Sequence, residues 1–245
     1  MIVQGIIASI SSSTGSSVKY GSVVSQMSNY SITGPIQFTT EPYTVIVVAS
    51  GSETAIATPA LITNITGMGL TWIQRAIYTD PDSDCGQTSE IWYAINNTSS
   101  TITDTITITF DRNVDDQSTV ISYYKNCNLT TPWTSSGPSY SNSKNGVNAT
   151  ITMNIAESNT TGIVFFAIPN VGNDNAGPNP GYAQRWDNVN YIKNGGERYW
   201  EYVNMSYREF STPQTNLVVN SSGDLTWTDN YAIGLTTIAD ALVHA

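Results

Sequence analysis

Thr101–Phe110, TITDTITITF, is the stretch that decides the fold. In an extended chain Ile102, Ile106, Ile108 and Phe110 fall on one face, and the threonines at 101, 103, 105, 107 and 109 on the other. Side chains alternate with period two along a strand, so this is a half-buried antiparallel strand with a β-branched polar outer face. No window of a dozen residues sustains the three-and-four spacing of a helix.

Working outward, Val147–Ile155 repeats the pattern, with Val147, Ala149, Ile151, Met153 and Ile155 inward. Tyr43–Ala49, Val120–Tyr124, Ile163–Ile168 and Tyr231–Ile238 are more continuously apolar, as expected of central strands covered on both faces. Leu70–Tyr78, Glu90–Ile95 and Arg198–Phe210 add further strands. Turn residues separate them: Ser50-Gly51, Pro81–Asp84, Asn145-Gly146, Gly172–Gly181 and Asn194–Gly196. The expected fold is all-β, a two-sheet antiparallel β-sandwich of jelly-roll-like character. Residues 1–24 read as an N-terminal strand or arm with a Ser-rich linker, and residues 25–245 as a single β-sandwich domain. The strand Ile2–Ile10 pairs either within the sandwich or with a neighbouring subunit.

Composition narrows the function classes. Charged residues are 11% of the 245, against about 25% in an average globular chain, and Ser, Thr and Asn take their place. Such hydroxyl- and amide-covered surfaces belong to secreted proteins, fibres and virions. The formal net charge is −10 and no basic cluster occurs, which argues against nucleic acid and anionic membranes as partners. No stretch reaches the ~18–20 apolar residues of a membrane span. The start, MIVQGIIASISSSTG, lacks a basic n-region, so a signal peptide is not expected. Cys85 and Cys127 each lie in a polar segment beside a strand, and one disulfide between them would suit an oxidising compartment.

YTVIVVAS at 43–50, GLTW at 69–72 and EIWYAINNTSSTITDTITITF at 90–110 come in a telling order. VISYY at 120–124 and a Trp-containing stretch at 199–207 follow. This succession resembles the β-sandwich domain of phage, archaeal-virus and cell-surface structural proteins. The long polar loops are similar in character to turret and spike subunits of viruses of hot-spring archaea. The resemblance implies a fold and a surface location, with Trp72 and Trp92 as core anchors, and it carries no catalytic residues.

Asn-X-Ser/Thr acceptors for N-linked glycans stand at Asn29, Asn64, Asn96, Asn97, Asn128, Asn148, Asn159, Asn204 and Asn220. Asp80, Asp82 and Asp84 with Glu90 have the look of a calcium loop, since hard Ca²⁺ takes carboxylates from alternating turn positions. The register departs from the EF-hand pattern, and an ordinary acidic turn is the plainer reading. Glu197 and Glu201 would share a strand face at a separation of about 13 Å, too wide for a glycosidase pair. The only histidine is His244, so a histidine-based triad or a His-rich metal site is not expected. Tyr199, Trp200, Tyr202 and Tyr207 cluster with Arg198 and Arg208 and read as core, subunit interface or glycan contact.

These readings give a non-enzymatic structural subunit without a cofactor, glycosylated and exposed on a virion surface (capsid, turret or spike) or an extracellular assembly. Its expected partners are copies of itself or other surface subunits, with host glycans as further candidates. Two alternatives stand beside it: a carbohydrate-binding adhesin module of a cell surface, and a subunit of an extracellular filament joined by strand exchange.

Overall fold

The computed structural model describes residues 18–54, 56–81, 86–144, 150–168, 183–194, 197–220 and 234–245. Among the described residues there are thirteen strands and no helix. The first six are β1 (Val18–Thr40), β2 (Thr44–Thr54), β3 (Ile62–Gly67), β4 (Ile73–Pro81), β5 (Gly86–Asn96) and β6 (Ile102–Lys125). They are followed by β7 (Ser139–Lys144), β8 (Thr150–Ile155), β9 (Thr160–Ile168) and β10 (Ala183–Asn194). β11 (Glu197–Phe210), β12 (Gln214–Asn220) and β13 (Gly234–Val243) complete the set.

One sheet has the order β1-β6-β2-β5-β4, with β3 paired to β6 off that path. A second has the order β10-β11-β9-β13-β7, and β12 with β8 forms a separate ribbon. Every pairing is antiparallel. Between the two large sheets, Val45, Val47 and Ala49 of β2, Ile91 of β5 and Val120 and Tyr124 of β6 form one wall. Ile163 and Phe165 of β9, Met205 of β11 and Ile238 and Leu242 of β13 form the other. The sandwich expected from the sequence is therefore the fold. A jelly roll passes successive strands from one sheet to the other, whereas here β1 to β6 all lie in the first sheet.

β2 is buried along nearly its whole length because both its faces are covered. Its second face, with Ile46 and Val48, meets Ile106, Ile108 and Phe110 from the first half of β6. Ile36 and Phe38 of β1 and Ile62 and Ile65 of β3 join the same cluster. The second half of β6 contributes Ile121 and Tyr123 to it, so the long strand folds back over its own sheet. Register shifts along β1 between Met27 and Ile36 accompany that bend, as bulges do. The alternation of TITDTITITF is realised: Ile106, Ile108 and Phe110 are buried, while Thr103 and Thr105 are exposed.

Two sequence expectations need correction. The segments 101–110 and 120–124 are parts of one strand, because the polar stretch between them stays paired with β1. The boundary at residue 24 falls inside β1, where Val18 pairs with Tyr124 and Val24 with Thr119. The sandwich thus begins by Val18, and the arm proposed at Ile2–Ile10 lies outside the described residues.

Candidate functional site

Glu90 points from β5 into the layer under β3 and is 1% exposed. One carboxylate oxygen accepts the Ile62 amide at 2.7 Å. The other accepts Gln74 Nε2 and Trp92 Nε1, both at 2.8 Å. Burial raises its pKa above the usual glutamate value, and the three donors offset that only in part. With its acceptors engaged, Glu90 ties β4, β5 and the entry to β3 together. This overturns its expected place in a calcium loop. Asp80 stands opposite Gln87, and Glu90, three residues on, therefore projects from the other face of the sheet. Asp82 and Asp84 lie outside the described residues.

A second tie joins the two sheets. Arg75 Nε of β4 donates to Asp240 Oδ2 of β13 at 2.7 Å, and Nη2 donates to the Thr134 carbonyl at 3.1 Å. The guanidinium lies over the Trp133 ring, 5.3 Å from its centroid. Asp240 is fully buried, which pushes its carboxyl up; Arg75 opposes that without cancelling it.

His244 gathers a hydroxyl and a carboxylate. Its Nε2 lies 2.8 Å from Thr161 Oγ1 and 3.2 Å from Glu209 Oε2, and Thr161 Oγ1 also donates to Glu209. A catalytic triad needs the carboxylate and the nucleophile at opposite ring nitrogens. Here one nitrogen faces both, and Thr161 is buried, so the trio works as a clasp between β9, β11 and the bridge after β13.

Cys127 beside it is a free buried thiol that donates weakly to the Lys125 carbonyl at 3.6 Å. Burial pushes its pKa up to about 12, which suppresses the thiolate a nucleophile requires. The expected disulfide is not formed. Cys85 lies outside the described residues, but its neighbour Gly86 pairs with Thr54 at one end of β2. Lys125 pairs with Thr44 at the other end, on the order of 33 Å away by strand rise. A disulfide closes Cα separations of only about 4.4–6.8 Å.

Among the glycan acceptors, Asn64, Asn97 and Asn159 are exposed. Asn128 is half-buried, and its Oδ1 accepts the amides of Thr130 and Thr131. Asn96 is fully buried. Its Nδ2 donates to the carbonyls of Glu41 and Ser100 at 2.9 and 3.0 Å, and its Oδ1 accepts from Thr98. A glycan on that nitrogen is incompatible with the folded chain, which removes Asn96 from the set. Asn148 and the side chains of Asn29, Asn204 and Asn220 lie outside the described residues. So do those of Glu197, Glu201, Tyr199, Trp200 and Tyr202, although all five positions lie on β11. Tyr207 packs against the inter-sheet core, and Trp72 and Trp92 pack against the outer one.

The sequence reading missed Tyr43, which is 54% exposed with φ 53°, an uncommon backbone for a bulky residue. It also missed the Tyr78–Tyr140 stack, 5.7 Å between centroids, which spans from β4 to β7. Neither follows a sequence period, since both depend on which strands end as neighbours.

Among the described residues no helix is long and apolar enough to cross a membrane. The chain matches no family model, no curated protein and no solved structure in the three comparisons made.

Proposed function

We propose that the protein is a non-catalytic structural subunit of a surface assembly, a virion surface or an extracellular filament, that presents glycans outward. One observation carries the reading: the outward strand faces are lined with hydroxyls and amides that include accessible acceptors. β3 exposes Thr63, Asn64 and Thr66, β8 exposes Thr150, Thr152 and Asn154, and Asn97 stands at the tip between β5 and β6. The buried carboxylates Glu90 and Asp240, the latter held by the half-buried Arg75, serve as ties between layers, a use that favours rigidity. The resemblance of most of residues 40–240 to surface structural proteins points the same way.

The test is native mass spectrometry of the protein from its own source, before and after deletion of residues 1–17. A multimer heavier than its polypeptide that dissociates on deletion supports the reading. A monomer at the polypeptide mass of 26.5 kDa that remains a monomer after the deletion overturns it. Tyr43 favours a second reading, a carbohydrate-binding module. Its ring is exposed, and its amide donates to the Thr98 carbonyl at 3.2 Å, which sets the residue next to the polar Asn97–Ser100 loop. Glycan-array binding lost on Tyr43→Ala would favour that module.

A further inference from the structure

At one end of the sandwich, three adjacent strands set oxygen-bearing side chains side by side. Asp80 on β4 stands opposite Gln87 on β5, and Gln87 stands opposite Glu53 on β2. Four residues back along the same strands lie Ala76, Ile91 and Ala49, all in the core between the sheets. Because a strand repeats every two residues, Asp80, Gln87 and Glu53 project from that same inner face.

Asp80 is only 8% exposed, and its Oδ2 is out of solvent with no hydrogen-bond partner among the described residues. A buried carboxylate oxygen without a donor is unfavourable, and a bound cation is one of the few things that relieves it. Gln87, itself buried, brings an amide oxygen to the middle of the row, and Glu53 a second carboxylate to its far side.

We propose that Asp80, Gln87 and Glu53 form a binding site for a hard divalent cation, Ca²⁺ in the first instance. Ca²⁺ accepts carboxylate and amide oxygens in flexible sets at about 2.3–2.6 Å. Strands about 4.8 Å apart put the outer two Cα atoms roughly 10 Å from each other, which an Asp, a Glu and two Ca–O bonds can span. Two carboxylates balance the charge of one such ion. Among the described residues no three His, Cys, Asp or Glu side chains converge, and here the third donor is an amide. The site shares Asp80 with the acidic turn expected from the sequence, but replaces Glu90, which projects from the other sheet face, with Gln87 and Glu53.

The full chain, stripped with EGTA, is titrated with Ca²⁺ by calorimetry and by thermal unfolding. It is also titrated with Tb³⁺, whose emission is excited through Tyr78, two residues from Asp80 on the same face. Binding heat, a rise in Tm and sensitised emission are expected, each lost in Asp80→Asn and in Glu53→Gln. Without added cation, Asp80→Asn should unfold no earlier than the wild type, since it replaces a carboxyl whose Oδ2 is buried without a donor, so loss of binding is separable from misfolding. Absence of Ca²⁺ and Tb³⁺ binding to the wild type overturns the proposal. So does binding that survives both substitutions but disappears in an Asp82→Asn/Asp84→Asn variant.

Discussion

Arg75 and Asp240, 165 residues apart in sequence, meet across the gap between the sheets with a guanidinium–carboxylate contact of 2.7 Å. Asp240 has no exposure and Arg75 little. Removing one partner of such a pair leaves an uncompensated buried charge. Arg75→Ala is expected to destabilise the fold by about 3–5 kcal/mol in urea unfolding at neutral pH. Replacing both partners with apolar residues, as in Arg75→Met/Asp240→Leu, should recover much of that loss. A double variant as unstable as Arg75→Ala would show that the pair does more than neutralise itself.

Glu90 and Asp240 give the protein an unusual pH response. Both have carboxyl pKa values raised in the fold above the ordinary 4.5 and 3.8. A raised folded pKa means the native state holds the proton more tightly than the unfolded chain. The resulting contribution is fully present below the unfolded values and is lost as pH rises through the folded ones. Tm should therefore climb as the pH falls from 7 toward 5, and Glu90→Gln should flatten that slope. Asp111, held low first by its hydrogen bond from Arg112, acts in the opposite sense only at more acid pH. A wild-type Tm that falls steadily between pH 7 and 5 would contradict this account.

Gly67 closes β3 at φ +120°, and an added Cβ there would collide with the Thr105 carbonyl. Gly67→Ala is expected to cost about 1–3 kcal/mol. Hydrogen exchange should show the loss first at β3, whose pairing with β6 ends at Gly67 and Ile106.

The acceptor asparagines separate by accessibility. Peptide mapping of protein from its native source should find glycans among Asn64, Asn97 and Asn159 and none on Asn96. Asn96→Asp should instead destabilise the fold by about 1–3 kcal/mol, since it exchanges two buried donors for a carboxylate. A glycopeptide carrying its sugar at Asn96 would refute the burial argument.

What the sequence disclosed is what local period controls. TITDTITITF and YTVIVVA were legible because one strand is covered on one face and the other on both. β1 was not legible: YGSVVSQMSNYSITGP mixes Ser, Asn and Gly into a strand whose bulges break the alternation. The polar run DRNVDDQST hid the continuity of β6 in the same way. Arg75 and Asp240 did leave a trace, each a lone charge in an apolar strand, in WIQRAIY and TTIADALV. Their pairing is set by how the sheets stack, which no spacing encodes. The cysteine count suggested a bridge, but only strand register reveals that Gly86, next to Cys85 in sequence, and Lys125, two residues before Cys127, pair with opposite ends of β2.

The two large sheets come from separate halves of the chain, residues 18–125 and 139–243. On the ribosome, the first sheet can complete its hydrogen bonding before its cover has been synthesised. Until β9, β11 and β13 emerge, Val45, Val47, Ala49, Ile91 and Val120 present a bare apolar wall. Nascent chains stalled after Lys125 should therefore be the form that chaperones bind and that aggregates most readily.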